Sequence, residues 1–458
     1  MVRQDPYQLN DPFLIEWFQN HYKDIRFTAR LKSDMHGRTE ELAKVIQKLK
    51  SDRPLYQQKN EVALIWRDLI GKAIVYLKSR DEREKYHDDE DYGVEKLDEF
   101  FKAFREFEPL LYGIEEERYR DHMAHMLNVF LLGEYLLKNT IGFEKIDVGD
   151  GDFPKYKKIS ADEKEAMWCV ISLTHDLGIA LEKIAAISPM ARDMVEKYGI
   201  ISIQELSYPF LRQPLHDFAI QFISSDLEPL ADGRKKRFIP HIQNKYFLKF
   251  SEAYERRDHG IISSLVLMKN LVYFLETDYS LDANRPLGLD DARHFLIRNN
   301  ILRSIAAHSN ENIYYLTLPQ FPFLMTIFDE LHEWGRPKLI EMFGEERLKR
   351  TVTVENLSET TIHYKFVFTG ETTLRNEERQ DLKKEIRKYF VRKCEKIRRI
   401  LRSAVGGKDR KLILTFEVVD QLEAKAKGYK IIHETPENVK ISEDDKEISW
   451  LQLLAEAQ

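Results

Sequence analysis

The sequence is poor in cysteine. Its 458 residues contain two, Cys169 and Cys394, with no partner close by in the chain. That excludes a disulfide framework and any CxxC zinc or redox motif, and points to a reducing cytosol. Glycine (19) and proline (15) are also scarce, which excludes collagen-like and low-complexity classes. No apolar run approaches the roughly 18 residues needed to span a bilayer. The opening MVRQDPYQLNDPF lacks the apolar core of a signal peptide. Nor is there a surplus of positive charge: 71 basic against 77 acidic side chains leave −6. Composition therefore gives no reason to expect nucleic acid or an anionic membrane as partner. A cytoplasmic protein without membrane contact is expected.

What is present fits a folded globular chain with a heavily charged surface: 43% apolar, 11% aromatic and 32% charged residues. At about 150 residues per domain, three domains are expected. Residues 1–110 read as an N-terminal helical region, because FLIEWFQNHY, EELAKVIQKLK and NEVALIWRDLIGKAIVYLK space their apolar residues as helices do. The polar stretch SRDEREKYHDDEDYG (79–93) reads as an exposed loop or a solvated helix end. Over 111–345 the helices become apolar nearly all round, as in HMLNVFLLGEYLL, EAMWCVISLTHDLG, GIISSLVLMKNLVYFL, RNNILRSIAAHS and FPFLMTIFDEL. Such helices are buried in a bundle. From 350 to 458 the period changes. TVTVENLSETTIHYKFVFTG reads as two strands and a turn, and the polar stretch after it as one long helix stopped by Gly406-Gly407. KLILTFEVV reads as a further strand, and the tail from about 422 shows no clear pattern. The fold class is thus mainly α, with a small C-terminal α+β domain.

The informative residues are polar groups at the ends of apolar helices. His175 and Asp176 follow an apolar run directly, and so does Asp329. His125 opens a third apolar helix, His259 a fourth, and His308 closes a fifth. A buried carboxylate without a partner costs several kcal/mol, so something cationic must compensate it or the helix end must reach water. Imidazole nitrogen with carboxylate oxygen is the donor mix that suits Fe, Mn, Zn or Ni. The dipeptide His-Asp alone says little. It recurs at His87-Asp88 in the acidic stretch and at His216-Asp217 after Pro214, where a turn followed by a helix start is the simpler reading.

The order His125, His175-Asp176, His259, His308, Asp329 resembles the HD-domain superfamily of metal-dependent phosphohydrolases. HMLNV (125–129), THDLG (174–178) and FDELHEW (328–334) carry the resemblance, which covers about half the chain. It implies a helical bundle of HD type holding divalent ions, with the two additional histidines marking members that hold two. Mn, Fe, Ni, Zn and Mg all remain open. The resemblance further implies that Asp176 bridges the ions, that His125, His175 and Asp329 complete the first, and that His259 and His308 complete the second. Members cleaving cyclic dinucleotides carry Lys directly after the Gly of this doublet. Ile179 stands there, so another phosphate compound is the expected substrate.

Three further residues are candidates for catalysis beside Asp176. His122 lies one turn before His125 and could protonate a leaving oxygen. Lys183 and Arg336 each follow a carboxylate, Asp176 and Asp329, by seven residues and could neutralise phosphate charge. The basic run from Lys383 to Arg402 could contact nucleic acid, but an amphipathic helix with Ile386, Phe390, Ile397 and Leu401 inward is the simpler expectation. The function expected is hydrolysis of a nucleotide or other small phosphate ester or anhydride. The alternative is a regulatory module that senses a nucleotide on the same bundle without turnover. A homo-oligomer paired through the C-terminal domain is a further expectation.

Overall fold

The computed structural model describes residues 8–29, 38–79, 93–111, 121–184, 187, 197, 214–230, 236–275, 285–313, 318–332, 334, 348–358, 360–370, 376–404, 413–421, 427–433 and 439–455. Most of the acidic stretch (80–92, with His87-Asp88) lies outside them, as does Arg336. The described chain is mainly helical. The helices are α1 (Asp11–His21), α2 (Arg26–Ala29), α3 (Arg38–Lys48), α4 (Lys59–Ser79), α5 (Val94–Leu111), α6 (His122–Asn139), α7 (Ala161–Thr174), α8 (Pro214–Ile223), α9 (Asn244–Glu255), α10 (His259–Asn270), α11 (Val272–Leu275), α12 (Leu289–His308), α13 (Phe321–Leu331), α14 (Asn376–Ala404) and α15 (Trp450–Ala455). None among the described residues is long and apolar enough to cross a membrane.

α7 is the axis of the bundle and packs against α4, α6, α12 and α13. It starts at a capping box: the Ser160 hydroxyl accepts from the Glu163 amide, and Glu163 accepts from the Ser160 amide. Asp162 through Thr174 are all buried: the second half through its apolar run, and Asp162, Glu163, Lys164 and Glu165 through pairing with Arg26, Arg293, the Ile146 carbonyl and Lys138. At its far end the Trp66 indole, carried by α4 and stacked on Phe101 at 3.8 Å, donates to the Leu173 carbonyl at 2.6 Å. This satisfies one of the carbonyls a helix leaves bare at its C-terminus, and fixes the turn that follows. Pro214 is the first described residue of α8, and His216 Nδ1 lies 2.6 Å from the Tyr254 hydroxyl.

Two strands interrupt the region read as wholly helical. β2 (Ser225–Leu230) and β3 (Arg237–Ile242) form an antiparallel hairpin. Pro229 and Pro240, one in each strand, make a helix interior untenable there.

The C-terminal sheet is larger than expected. Its order is β1 (Gln8–Leu9), β4 (Leu348–Leu357), β5 (Thr361–Gly370), β6 (Ile413–Asp420), β7 (Lys427–His433), β8 (Val439–Glu443), β9 (Lys446–Glu447). β4 and β5 are antiparallel, β5 and β6 parallel. A parallel pair needs a long crossover, which α14 supplies. Ile386 and Phe390 of α14 are fully buried, and Cys394 with them; the side chains of Ile397 and Leu401 lie outside the described residues. β7–β9 come from the tail. Asp444 and Asp445 both adopt positive φ (48° and 63°) between β8 and β9, the two-residue hairpin geometry that glycine or asparagine usually marks. β1 joins from the opposite end of the chain. Among the described residues β1 pairs only with Val352 and Thr353 of β4, and β9 only with Ser442 and Glu443 of β8.

Candidate metal centre

Five helix ends deliver the polar residues to one place. His125 is in the first turn of α6, whose N-cap is Asp121. His175 and Asp176 follow α7 in a tight turn. His259 opens α10 after the N-cap Asp258, His308 closes α12, and Asp329 lies in the last turn of α13.

Two glycines make the convergence possible. A Cβ on Gly178 would lie 2.3 Å from the His259 carbonyl and 2.8 Å from the Ser263 amide. A Cβ on Gly260 would lie 2.7 Å from the Ile305 carbonyl and 2.5 Å from the Ser309 hydroxyl. Only hydrogen at these positions lets the first turn of α10 settle between the His-Asp turn and the end of α12.

Asp176 sits between two groups of histidines, and each of its oxygens faces a different one. Oδ2 is 3.5 Å from Nε2 of both His125 and His175. Oδ1 is 3.5 Å from Nε2 of both His259 and His308. His125 and His175 present their Nε2 atoms 3.1 Å apart. Asp329 adds Oδ1 to the first group, 2.9 Å from His125 Nε2 and 4.0 Å from His175 Nε2. Donors bound at about 2.1 Å to one ion, at angles near 90–110°, stand roughly 3.0–3.4 Å from one another. Both trios, His125–His175–Asp176 and Asp176–His259–His308, could therefore hold a metal ion.

The ring orientations suit the same purpose. Each ligand histidine in such a centre needs its far nitrogen occupied, so that Nε2 keeps its lone pair for the ion. His175 Nδ1 donates to the Ser172 carbonyl at 2.8 Å and His308 Nδ1 to the Ile305 carbonyl at 2.7 Å. His259 Nδ1 meets Glu182 Oε2 at 2.7 Å, and its backbone amide meets the same oxygen at 2.9 Å. His125 Nδ1 meets a third kind of partner, an imidazole: His332 Nδ1, at 2.6 Å.

Electrostatics divide the groups. Burial pushes the His175 imidazolium pKa down to about 4 against the pull of Asp176, so the ring is neutral. Burial works against Asp176 ionising as well, but His175, His308, His125 and His259 outweigh it and hold the carboxyl well below its ordinary value. His259 goes the other way. Burial disfavours its charge, yet the Glu182 hydrogen bond with Asp176 and Asp258 nearby raises it to about 9.

The remaining expected residues lie outside the trios. His122 is buried at the start of α6, where its amide donates to Glu108 Oε1 at 2.5 Å and its Nδ1 is 3.5 Å from the same oxygen. Lys183 is half-buried in the helical stretch 179–184, and its charge helps keep the Glu182 carboxylate ionised. Arg336 lies outside the described residues. Glu182 and His332 were not singled out from the sequence. Glu182 follows the His-Asp turn by one and a half helical turns and looks like an ordinary surface acid. His332 is in the FDELHEW segment itself, three residues after Asp329.

No family model matches the chain, and no curated protein or solved structure is significantly similar to it.

Proposed function

We propose that the protein is a dinuclear metal-dependent phosphohydrolase of HD type, acting on a nucleotide or another small phosphate ester or anhydride. The observation that carries this reading is the placement of Asp176, which turns one oxygen to each of two histidine groups. A structural core gains nothing from six such side chains, since apolar residues of similar volume would be at least as stable there. Two divalent ions so held supply Lewis acidity toward phosphoryl oxygens and acidify water.

The chain's own groups do the rest. His125, His175, Asp329 and Asp176 would hold one ion, and Asp176, His259 and His308 the other. Asp176 and Asp329 bring two negative charges to offset four from two divalent ions, which leaves the centre positive toward a phosphate. His122, one turn before His125, is the proposed donor of a proton to the leaving oxygen, with Glu108 fixing its place. Lys183 is the proposed phosphate contact. The basic helix α14 needs no nucleic acid to account for it, because its buried face packs on the sheet and Lys393 and Lys396 both pair with Glu330 of α13.

The test is metal analysis of the purified chain together with phosphate release from a panel of nucleotides in Mn²⁺, Fe²⁺, Ni²⁺, Zn²⁺ or Mg²⁺. Two ions per chain and release that stops on chelation are expected. Nucleotide binding without release would instead assign a sensor built on the same bundle, and absence of bound metal would defeat both readings.

A further inference from the structure

Three of the four ligand histidines rest Nδ1 on a fixed oxygen, and His125 does not. Its Nδ1 lies 2.6 Å from Nδ1 of His332. Two ring nitrogens this close share a single proton, so one donates and the other accepts. For His125 to offer Nε2 to an ion, its own proton must sit on Nδ1. His332 then accepts at Nδ1 and carries its proton on Nε2.

We propose that His332 is the positioning residue of the first metal, setting the tautomer and ring plane of His125, and that Asp11 of the N-terminal helix holds it in place. This rests on the dinuclear reading above. The geometry reaches His125 by two routes from one carboxylate. In the first, Asp11 Oδ1 accepts from the Trp334 indole at 2.6 Å. Trp334 presses edge-on against His332, with centroids 4.6 Å apart at 87°. His332 lies nearly parallel to His125, 4.8 Å away at 22°. In the second, the same Oδ1 accepts from the Asn128 amide at 3.0 Å, and Asn128 sits one turn after His125 on α6. Asp11 is itself fixed by the Leu55 amide, 2.7 Å from Oδ2. All of these side chains are buried. An imidazole so enclosed has one orientation available, and hands it on to its neighbour.

Substitutions at His332 separate positioning from packing. Asparagine places its amide oxygen near the position of Nδ1, and glutamine reaches toward Nε2 instead. Leucine keeps bulk and removes the acceptor. The measurement is ion stoichiometry and stepwise affinity for Mn²⁺ on the full chain, with Co²⁺ absorption as a second readout of the first site. The parent and His332→Asn are expected to bind two ions, the first with affinities within a few fold of each other. His332→Leu and His332→Gln are expected to weaken one ion by about 10–100-fold and leave the other unchanged. A parent with two ions, matched by both the leucine and the glutamine variants, overturns the assignment alone. A parent with fewer than two ions overturns the dinuclear reading, and the assignment with it. Should the leucine variant fail to fold, asparagine against glutamine decides by itself, and equal affinities there overturn the proposal.

Discussion

The two halves of the centre share Asp176 but are built differently. His125 and His175 are fully enclosed, and Asp329 nearly so. The other half opens outward: the His259 side chain is 23% exposed, and its partner Glu182 30%. The enclosed half is braced from outside the bundle's own helices, by Asp11 of α1 through Trp334 and His332, and by Lys393 and Lys396 of α14 on Glu330, the residue after Asp329. The open half is braced from within, by the Ile305 carbonyl and by Glu182 in the helical stretch after the His-Asp turn. One half is thus a preset cage tied to both ends of the chain. The other has one histidine, His259, and its partner Glu182 partly exposed to solvent, while His308 is buried. If both trios hold ions as proposed, the ion of the enclosed half is expected to be long-lived and that of the open half exchangeable.

The largest effect should come from the residue both halves share. Asp176→Ala removes the carboxylate common to both trios and leaves Asp329 beside His125 and His175, with Glu182 on the far nitrogen of His259. Both ions should be lost and phosphate release should fall to background, as elemental analysis and a phosphate assay would show. If Asp176→Ala kept two ions, the shared-carboxylate geometry would not be what binds them.

Gly178→Ala should split the halves. The added methyl group meets backbone of α10 at 2.3 and 2.8 Å, so α10 must shift and take His259 with it. Overpacking of this kind costs about 1–3 kcal/mol. One ion, the exchangeable one, should be lost while the enclosed half keeps its own. Loss of both ions would mean that the halves do not fold independently. Retention of both would mean that α10 has slack the close contacts deny.

The same asymmetry decides what the sequence could reveal. The ligands are legible because each is a polar residue at the end of an apolar run, and α7 shows why: a helix buried from Asp162 to Thr174 leaves His175-Asp176 nowhere to go but into the interior. The braces are not legible. His332 meets His125 across 207 positions, and Trp334 meets Asp11 across 323, separations that helical periodicity cannot connect. Glu182 reads as a surface acid because only the fold sets His259 beside it. Among the strands, β4, β5 and β6 announce themselves by alternation and β-branched residues, whereas β8–β9 hide their turn in Asp444-Asp445, where no glycine marks the positive φ. The hairpin β2–β3 is hidden for another reason: each strand is short and carries a proline, Pro229 or Pro240, which strand patterns disfavour.

The smallest effect, and the sharpest test of the comparison, is in pH. In the metal-free protein His259 titrates near 9, above the ordinary 6.5, because Glu182, Asp176 and Asp258 favour its charged form despite burial. That charge stabilises the metal-free fold below pH 6.5, and the contribution disappears as pH rises through 9. An ion entering the open half must expel the proton from Nε2. Its apparent affinity should therefore climb about tenfold per pH unit between 7 and 9, with one proton released for each ion bound near pH 7. His175 of the enclosed half is already neutral above about pH 4, so it adds no such slope in this window. Calorimetric titration in two buffers of different ionisation enthalpy counts the protons directly. Two ions with opposite character should appear: one whose binding strengthens steeply from pH 7 to 9, and one that changes far less. Glu182→Gln should flatten the steep curve by removing the carboxylate that holds the proton on His259. A pair of ions with the same pH slope would mean that the open half and the cage are chemically alike, whatever their exposure.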